Sequence, residues 1–311
     1  MTLLYRSPRF LDHETGSHPE RPIRLRAIET WLTQHWLGAQ TTQPTFETCP
    51  RHNLELVHAA AYIEQVIAFA GEGGGNLDPD TVVCPASADV AQLAAGAVVD
   101  AVQRVVKGED KTALCLVRPP GHHALVDQAM GFCLFNNIAI GARSAIVDHG
   151  LNRVMVVDFD IHHGNGTQAA FWEDPQVGFL SMHRWPFWPG TGSADETGSR
   201  AGLGSTVNLP VEYGTPRKEV VKRFTVRLQD FADQIRPELI FISAGFDAHR
   251  QDPIGDLGLE TEDFASMTNA ILAVANTHAG GRVVSVLEGG YNPPVLAECV
   301  GEHLLRLTDA K

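Results

Sequence analysis

Short apolar runs of five or six residues recur along this chain, each separated from the next by a longer stretch with helical periodicity. No other feature restricts the fold as strongly, because strand- and helix-like patterns in alternation build a parallel α/β sheet. The runs lie at 113–117, 154–158, 177–182, 239–243 and 283–287. They are continuous in Val, Ile, Leu and Phe rather than alternating with polar residues, as expected of strands covered on both faces. Helical patterns span 23–36, 53–69, 88–107, 136–148, 219–235, 262–276 and 294–307. Pro22 sits just ahead of the first, where a missing N–H costs nothing. No linker, repeat or charge block divides the 311 residues. The expectation is one α/β domain over 1–311, with a central, mostly parallel sheet flanked by helices. The stretch 183–210 lacks periodicity and carries Trp185, Pro186, Phe187, Trp188 and Pro189, so it is expected to be a long functional loop. The run GEGGG (71–75) lacks the preceding strand and the Lys–Ser/Thr pair of a phosphate loop, and is expected to be a turn.

Charge and cysteine usage limit the partners. With 24 Lys+Arg against 37 Asp+Glu the net charge is −13, and no basic cluster interrupts it, which argues against nucleic acid. No eighteen-residue apolar run is present, so no spanning helix and no membrane partner are expected. The N-terminal MTLLYRSPRF holds no apolar core of signal-peptide length, and a cytoplasmic location is expected. Five cysteines without CxxC spacing read as reduced, mostly buried thiols. Oligomeric state is not legible here, and a homo-oligomer stays open.

Chemistry concentrates where apolar runs end. In VMVVDFDIHHGNG (154–166) acidic and imidazole groups follow the apolar run at once. That is the end of a parallel strand at which ligand sites of open α/β sheets lie. Alternation in extended chain places Asp158, Asp160 and His162 on one side, where a carboxylate and an imidazole can grip one ion. A solvent-facing Asp/His turn does not account for two carboxylates on the heels of a buried strand; a metal does. In SAGFDAH (243–249) Asp247 follows another apolar run and supplies a third ligand. Three protein ligands with one open position describe a catalytic zinc site, and the oxygen-rich set also tolerates Fe²⁺ or Mn²⁺. His249 reads as an exposed loop histidine.

Two further runs end in chemistry. RPPGHHA (118–124) leaves His122 and His123 at a strand end, as a proton-transfer pair or as two more metal ligands, with Asp158 free to hold one of them. LEGGY (287–291) gives Tyr291 glycines in front of it and the means to aim a phenol at a carbonyl oxygen, although Gly-Gly-Tyr by itself is a common turn.

Together these segments resemble the zinc-dependent histone deacetylase superfamily, whose fold is the arginase–deacetylase fold. The matching motifs are HPERP (18–22), RPPGHHA, GFCLFNN (131–137), VDFDIHHGNG, PGTG (189–192), SAGFDAH and LEGGY, in family order from 18 to 291. Asn165, where one branch of the family has Asp, is similar to class II and bacterial members. The resemblance implies an amidohydrolase that releases acetate from an acylated amine. It implies one zinc held by Asp160, His162 and Asp247, with His123 as general base and then acid. His122 is its electrostatic partner, paired to Asp158, and a neutral Asn165 orients His123 without a carboxylate's pKa rise. Tyr291 donates to the scissile carbonyl, and Gly131, Phe132 and Trp188 line an acyl-lysine tunnel. The resemblance further implies K⁺ at Asp158, Asp160, His162, Ser181 and Met182, and a second K⁺ near Phe171, Asp174, Val177 and Ser205. Arg24 matches a residue of the acetate exit channel.

For the substrate, two signals diverge. Ile254 lies seven residues after Asp247, where polyamine-selective relatives place a Glu, and an apolar residue there favours acetylated lysine in proteins. SADETG (193–198) and DPI (252–254) are similar instead to bacterial acetylpolyamine amidohydrolases. Acyl-lysine is the reading taken, acetylated polyamine the alternative. Asp80, or Asp78 beside it, is a candidate for holding a substrate amide at the rim. Two rivals are a ureohydrolase with two manganese ions, for which Asn165 and Ala248 stand where further Asp ligands are needed, and a silent acetyl-ligand binding module.

Overall fold

The computed structural model of the chain describes residues 1–309. Ten strands and nine α-helices follow one another in the order β1 (Thr2–Tyr5), α1 (Ile23–Gln34), β2 (Thr41–Thr42), α2 (Arg51–Glu55), α3 (Ala60–Gly71), β3 (Gly75–Asp78), β4 (Thr81–Val83), α4 (Ser87–Lys107), β5 (Thr112–Cys115), α5 (Asn137–Val147), β6 (Val154–Asp158), α6 (Asn165–Phe171), β7 (Val177–Arg184), β8 (Thr206–Val211), α7 (Arg217–Ile235), β9 (Leu239–Ala244), α8 (Thr261–His278), β10 (Val283–Leu287) and α9 (Pro293–Asp309). Eight strands form one sheet in the order β2-β1-β5-β10-β9-β6-β7-β8, and each pairing in it is parallel. A small antiparallel β3–β4 hairpin stands apart.

The expected α/β architecture is therefore present, and its central strands are buried throughout. Every residue of β5, β6, β9 and β10 is buried, which is why those runs carry no polar alternation. Crossover helices α4, α5, α7, α8 and α9 cover both faces, as parallel connections require. The four strands that precede the His-His, Asp-His, Asp-Ala-His and Gly-Gly-Tyr segments are neighbours at the middle of the sheet, β5-β10-β9-β6. Topology thus gathers four segments separated by up to 170 residues at one rim.

Several boundaries differ from the sequence reading for physical reasons. The helix expected over 53–69 is two, because tertiary hydrogen bonds pull residues 58 and 59 out of register. His58 meets Leu125 O and Asn136 N through its two ring nitrogens (both 2.9 Å), and Ala59 N donates to Val126 O at 2.8 Å. The stretch 183–210 is not wholly a loop: β7 continues to Arg184, and β8 begins at Thr206. β8 escapes notice because it is an edge strand with Pro210 inside it, a residue tolerated only at an edge. The short β1 and α6 carry too few residues to show a period. All five cysteines are free, and only Cys84 is not fully buried.

Gly96 tests how tightly the outer layer packs. It lies mid-helix in α4, and a Cβ there would collide with Glu47 O and stand 2.6 Å from Cys49 N, a backbone segment tied to the helix by Cys49 N–H···O Gln92 at 2.9 Å. In an open helix Gly→Ala stabilises by about 1 kcal/mol, whereas overpacking against backbone costs roughly 1–3 kcal/mol. Gly96→Ala is expected to lower the thermal unfolding midpoint; a raised midpoint would show that the 47–49 segment yields.

Candidate active site

Beyond Asp158 the chain leaves the sheet and coils. Asp160 N–H donates to Asp158 Oδ1 (3.1 Å) and His162 N–H to Asp160 Oδ1 (2.9 Å). The same-side placement of Asp160 and His162 thus comes from two successive carboxylate-capped turns, not from extended alternation. Asp158 is turned away from that pair, its Oδ2 at 2.9 Å from His122 Nδ1.

Asp247, delivered by the turn after β9, completes a cluster. His162 Nδ1 is 3.1 Å from both Asp160 Oδ1 and Asp247 Oδ2, and one ligand atom from each of the three residues lies within 4.8 Å of the others. Among the described residues no other group of three His, Cys, Asp or Glu is gathered this way. Relative exposures are 1%, 7% and 0% for Asp160, His162 and Asp247, so water cannot solvate the charges. Asp160 Oδ2 accepts from Gly289 N at 2.8 Å and Asp247 Oδ1 from Ile161 N at 3.0 Å, yet Asp247 Oδ2 is buried without a hydrogen-bond partner. Burial and the like charge of Asp160 push the Asp247 carboxyl up to about 7. Against the opposing effect of burial, the neighbouring carboxylates of Asp160 and Asp247 push His162 up to about 9. Side chains are excluded around the cluster as well. A Cβ at Gly245 would strike Asp160, and one at Gly289 would strike both carboxylates. An orphaned buried oxygen, a second carboxylate and an imidazole in a cradle kept clear by glycine fit a divalent cation.

The tandem imidazoles stand beside this cluster with ring centroids 3.9 Å apart and separate partners. His122 Nδ1 faces Asp158, while His123 Nδ1 lies 2.7 Å from Asn165 Oδ1. Neither joins the gathered donors, so the reading of two further metal ligands is set aside. Burial disfavours the charged form of both rings. At His122 the carboxylates of Asp158 and Asp160 outweigh burial and push the pKa up to about 10. At His123 burial, followed by the charges of His122 and His162, holds the pKa well below its usual value. The neutral Asn165 does not offset this. Adjacent imidazoles are thereby split into a charged and a neutral member.

Two residues given no role from sequence hold this arrangement. Glu288 is fully buried, and its Oε2 accepts from Gly121 N (2.7 Å) and His122 N (3.3 Å), clamping the backbone of the tandem histidines to the end of β10. Glu20 is the counter-charge of two buried arginines: Arg118 Nη2 at 2.8 Å and Arg24 Nη1 at 3.1 Å. Arg24 also donates to Glu288 O and Gly290 O, and Arg118 to Phe10 O and His13 O. Such residues are read from sequence only as charged side chains that turn up beside motifs; their burial is not encoded locally.

The remaining expected residues are placed as follows. Gly131 (φ +56°) passes between His123 and Trp188, where a Cβ would stand 2.5 and 2.6 Å from their rings, and Trp188 meets His123 edge-on at 4.7 Å. Phe132 meets Tyr291 edge-on at 5.7 Å and His18 at 4.4 Å. Burial raises the Tyr291 phenol well above its usual value, so it stays protonated. Asp80 is half-buried beside Asp78 and the Gly131 backbone, and Ile254 lies half-buried in a turn capped by Asp252. Ser181 is the register partner of Asp158, and Met182 is buried next to it. Phe171, Asp174, Val177 and Ser205 lie near one another, but the Asp174 carboxylate already meets Arg143, whose guanidinium covers Phe171 at 4.9 Å. His249 is buried, not exposed: it stacks on Phe264 and faces Glu260 at 3.7 Å.

Comparison with known proteins places these features. The Histone deacetylase domain model matches residues 18–307. A histone deacetylase-like amidohydrolase of Pseudomonas aeruginosa is 37% identical over 285 residues, covering 91% of this chain and 75% of that protein. The human polyamine deacetylase HDAC10 is 40% identical over 299 residues, which are 90% of this chain and 43% of that protein. The crystal structure of the HDA15 HD domain superposes with a TM-score of 0.93 at 35% identity, over 99% of this chain and 88% of that one. With the domain model matched over most of its length and its fold shared with the HDA15 HD domain, the chain belongs to the histone deacetylase family and has the arginase–deacetylase fold.

Proposed function

We propose that residues 1–311 form a single zinc-dependent deacetylase domain that hydrolyses the amide of acetylated lysine side chains to acetate and the free amine. The observation that carries this reading is the Asp160–His162–Asp247 cluster, with its unpartnered Asp247 oxygen, beside two imidazoles of opposite charge state. Membership of the deacetylase family supports hydrolysis of an acylated amine.

Asp160, His162 and Asp247 would hold the zinc, which when bound supplies Lewis-acid stabilisation of charge developing on the amide oxygen. His123, neutral and fixed by Asn165, takes a proton from the attacking water at Nε2 and returns it to the departing nitrogen, which cannot leave as an anion. Transfer of this kind contributes about 10²- to 10⁴-fold. His122, kept charged by Asp158, places a fixed positive charge next to the developing oxyanion. Tyr291, protonated and half-buried, donates to that same oxygen, and one such donor is worth roughly 3 kcal/mol. Gly131, Phe132 and Trp188 form the walls along the acyl chain, and Asp80 is positioned for a substrate backbone amide at the rim.

The K⁺ proposal has uneven support. Asp158, Asp160, His162, Ser181 and Met182 include a buried carboxylate and a serine in register with it. The second set rests on family resemblance, since Arg143 already neutralises Asp174.

Ile254 at the rim offers no charge to a secondary ammonium, which favours acyl-lysine. Of the two acids of the SADETG segment, Glu196 accepts from Gly192 N, Ser193 N and Gln168 Nε2, and Asp195 accepts from Ser193 Oγ, so both carboxylates are engaged by neighbouring groups rather than offered to a polyamine. A substrate panel tests this: an acetyl-lysine peptide is expected to exceed acetylputrescine and N⁸-acetylspermidine in kcat/KM, and the reverse order would transfer the proposal to polyamines. In Asp247→Asn, stoichiometric zinc by elemental analysis is expected to be lost, and retained zinc would overturn the ligand set. His123→Ala is expected to bind a hydroxamate within a fewfold of the native affinity while hydrolysis falls at least about 10²-fold; comparable hydrolysis would remove His123 from proton transfer.

A further inference from the structure

The peptide group joining Gly290 to Tyr291 is held at both ends. Arg24 Nε donates to Gly290 O at 2.6 Å, and Tyr291 N–H donates to Asp252 Oδ2 at 2.6 Å. Both partner side chains are buried, at 1% and 8% exposure. Charge-assisted bonds on opposite sides of one peptide plane leave it a single orientation. The Cα–Cβ bond of Tyr291 starts from that plane, so the plane sets where the phenol can reach. Packing fixes the ring itself: the Arg24 guanidinium lies 5.0 Å from its centroid on one side, and Phe132 stands edge-on at 5.7 Å.

The second oxygen of the same carboxylate serves a different segment. Asp252 Oδ1 accepts from Ile254 N (2.9 Å) and Gly255 N (3.0 Å), closing the turn that presents Ile254. Asn292 Nδ2 adds a bond to Gln251 O at 2.8 Å, tying the two segments together once more. One carboxylate therefore joins the phenol-bearing turn after β10 to the turn that carries the rim residue.

We propose that Asp252 is a positioning residue which sets the reach of the Tyr291 hydroxyl and the placement of Ile254 together. The proposal rests on the reading that Tyr291 donates to the scissile carbonyl. Asp252 acts through Tyr291 rather than on substrate. Its replacement by Asn keeps one acceptor oxygen and turns an amide NH₂ toward an N–H donor, so the Tyr291 peptide or the Ile254 turn must swing away. Misplacement of a catalytic group by about 1 Å can cost about 10²-fold.

A double-variant cycle on the zinc-loaded enzyme with an acetyl-lysine substrate tests this, with zinc content and thermal midpoint measured alongside. In D252N, kcat is expected to fall about tenfold with zinc content unchanged. Y291F is expected to lose about 10²- to 10³-fold. Added to Y291F, D252N is expected to cost less than about twofold more, because the hydroxyl it positions is already gone. A merely structural carboxylate would instead multiply its loss in the double variant, and that outcome overturns the proposal while leaving Tyr291's role intact. Native kcat in Y291F would sink the reading of Tyr291 and this proposal with it. If D252N does not fold, D252E carries the same cycle with the same criteria, because it shifts the acceptors by one methylene while keeping the charge.

Discussion

Two carboxylates, Asp160 and Asp247, share an imidazole where water has almost no access, and one of their oxygens has no hydrogen-bond partner. Uncompensated buried charge is among the most costly arrangements a fold can hold. Much of the surrounding structure answers that cost. Gly289 lends an N–H to Asp160 and, like Gly245, carries no side chain that would press on the carboxylates. The turn after β6 gives its amides to the carboxylates of Asp158 and Asp160, and the Ile161 amide to Asp247. A divalent cation among these donors would remove the remaining deficit.

A second buried charge system frames the first. Glu20, ahead of α1, sits between Arg24 and Arg118, and these arginines hold four backbone carbonyls in two segments, Phe10 and His13 in one and Glu288 and Gly290 in the other. Glu288 then grips the amides that lead into the tandem histidines. The HPERP, RPPGHH and LEGGY segments are thus one mechanical unit, although 98 residues separate Glu20 from Arg118 and 266 separate Arg24 from Gly290. Within that frame, His122 and His123 differ in charge because the carboxylates of Asp158 and Asp160 outweigh burial at His122, whereas burial and the charges of His122 and His162 prevail at His123.

The parts of the fold legible in sequence were those with strong, local signals. Continuous apolar runs identified β5, β6, β7, β9 and β10 to within one or two residues, since strands buried on both faces have no room for polar alternation. The edge strand β8, with Pro210, and the two-residue β2 give no such signal. The break between α2 and α3 was invisible because its cause, the bonds of His58 and Ala59 to residues 125, 126 and 136, lies far along the chain. His249 was misjudged for a similar reason: nothing local reports that Phe264 and Glu260 will cover it.

By itself the sequence determined which residue types stand at the ends of the apolar runs. Because parallel sheets place ligands at those ends, it also determined that Asp160, His162, Asp247, His122, His123 and Tyr291 belong to one site. Only the tertiary structure decided who partners whom. Strand order made β5, β10, β9 and β6 neighbours, which brought together the pairs that the family resemblance implies, Asp158 with His122 and Asn165 with His123, and left Asp247 Oδ2 without a hydrogen-bond partner. It likewise made Glu20, Glu288 and Asp252, motif residues to which sequence assigns no role, the buried joints of the site. Residue type sets what a group can do, but burial and partner set its charge and its aim, and these follow from contacts that no local pattern encodes.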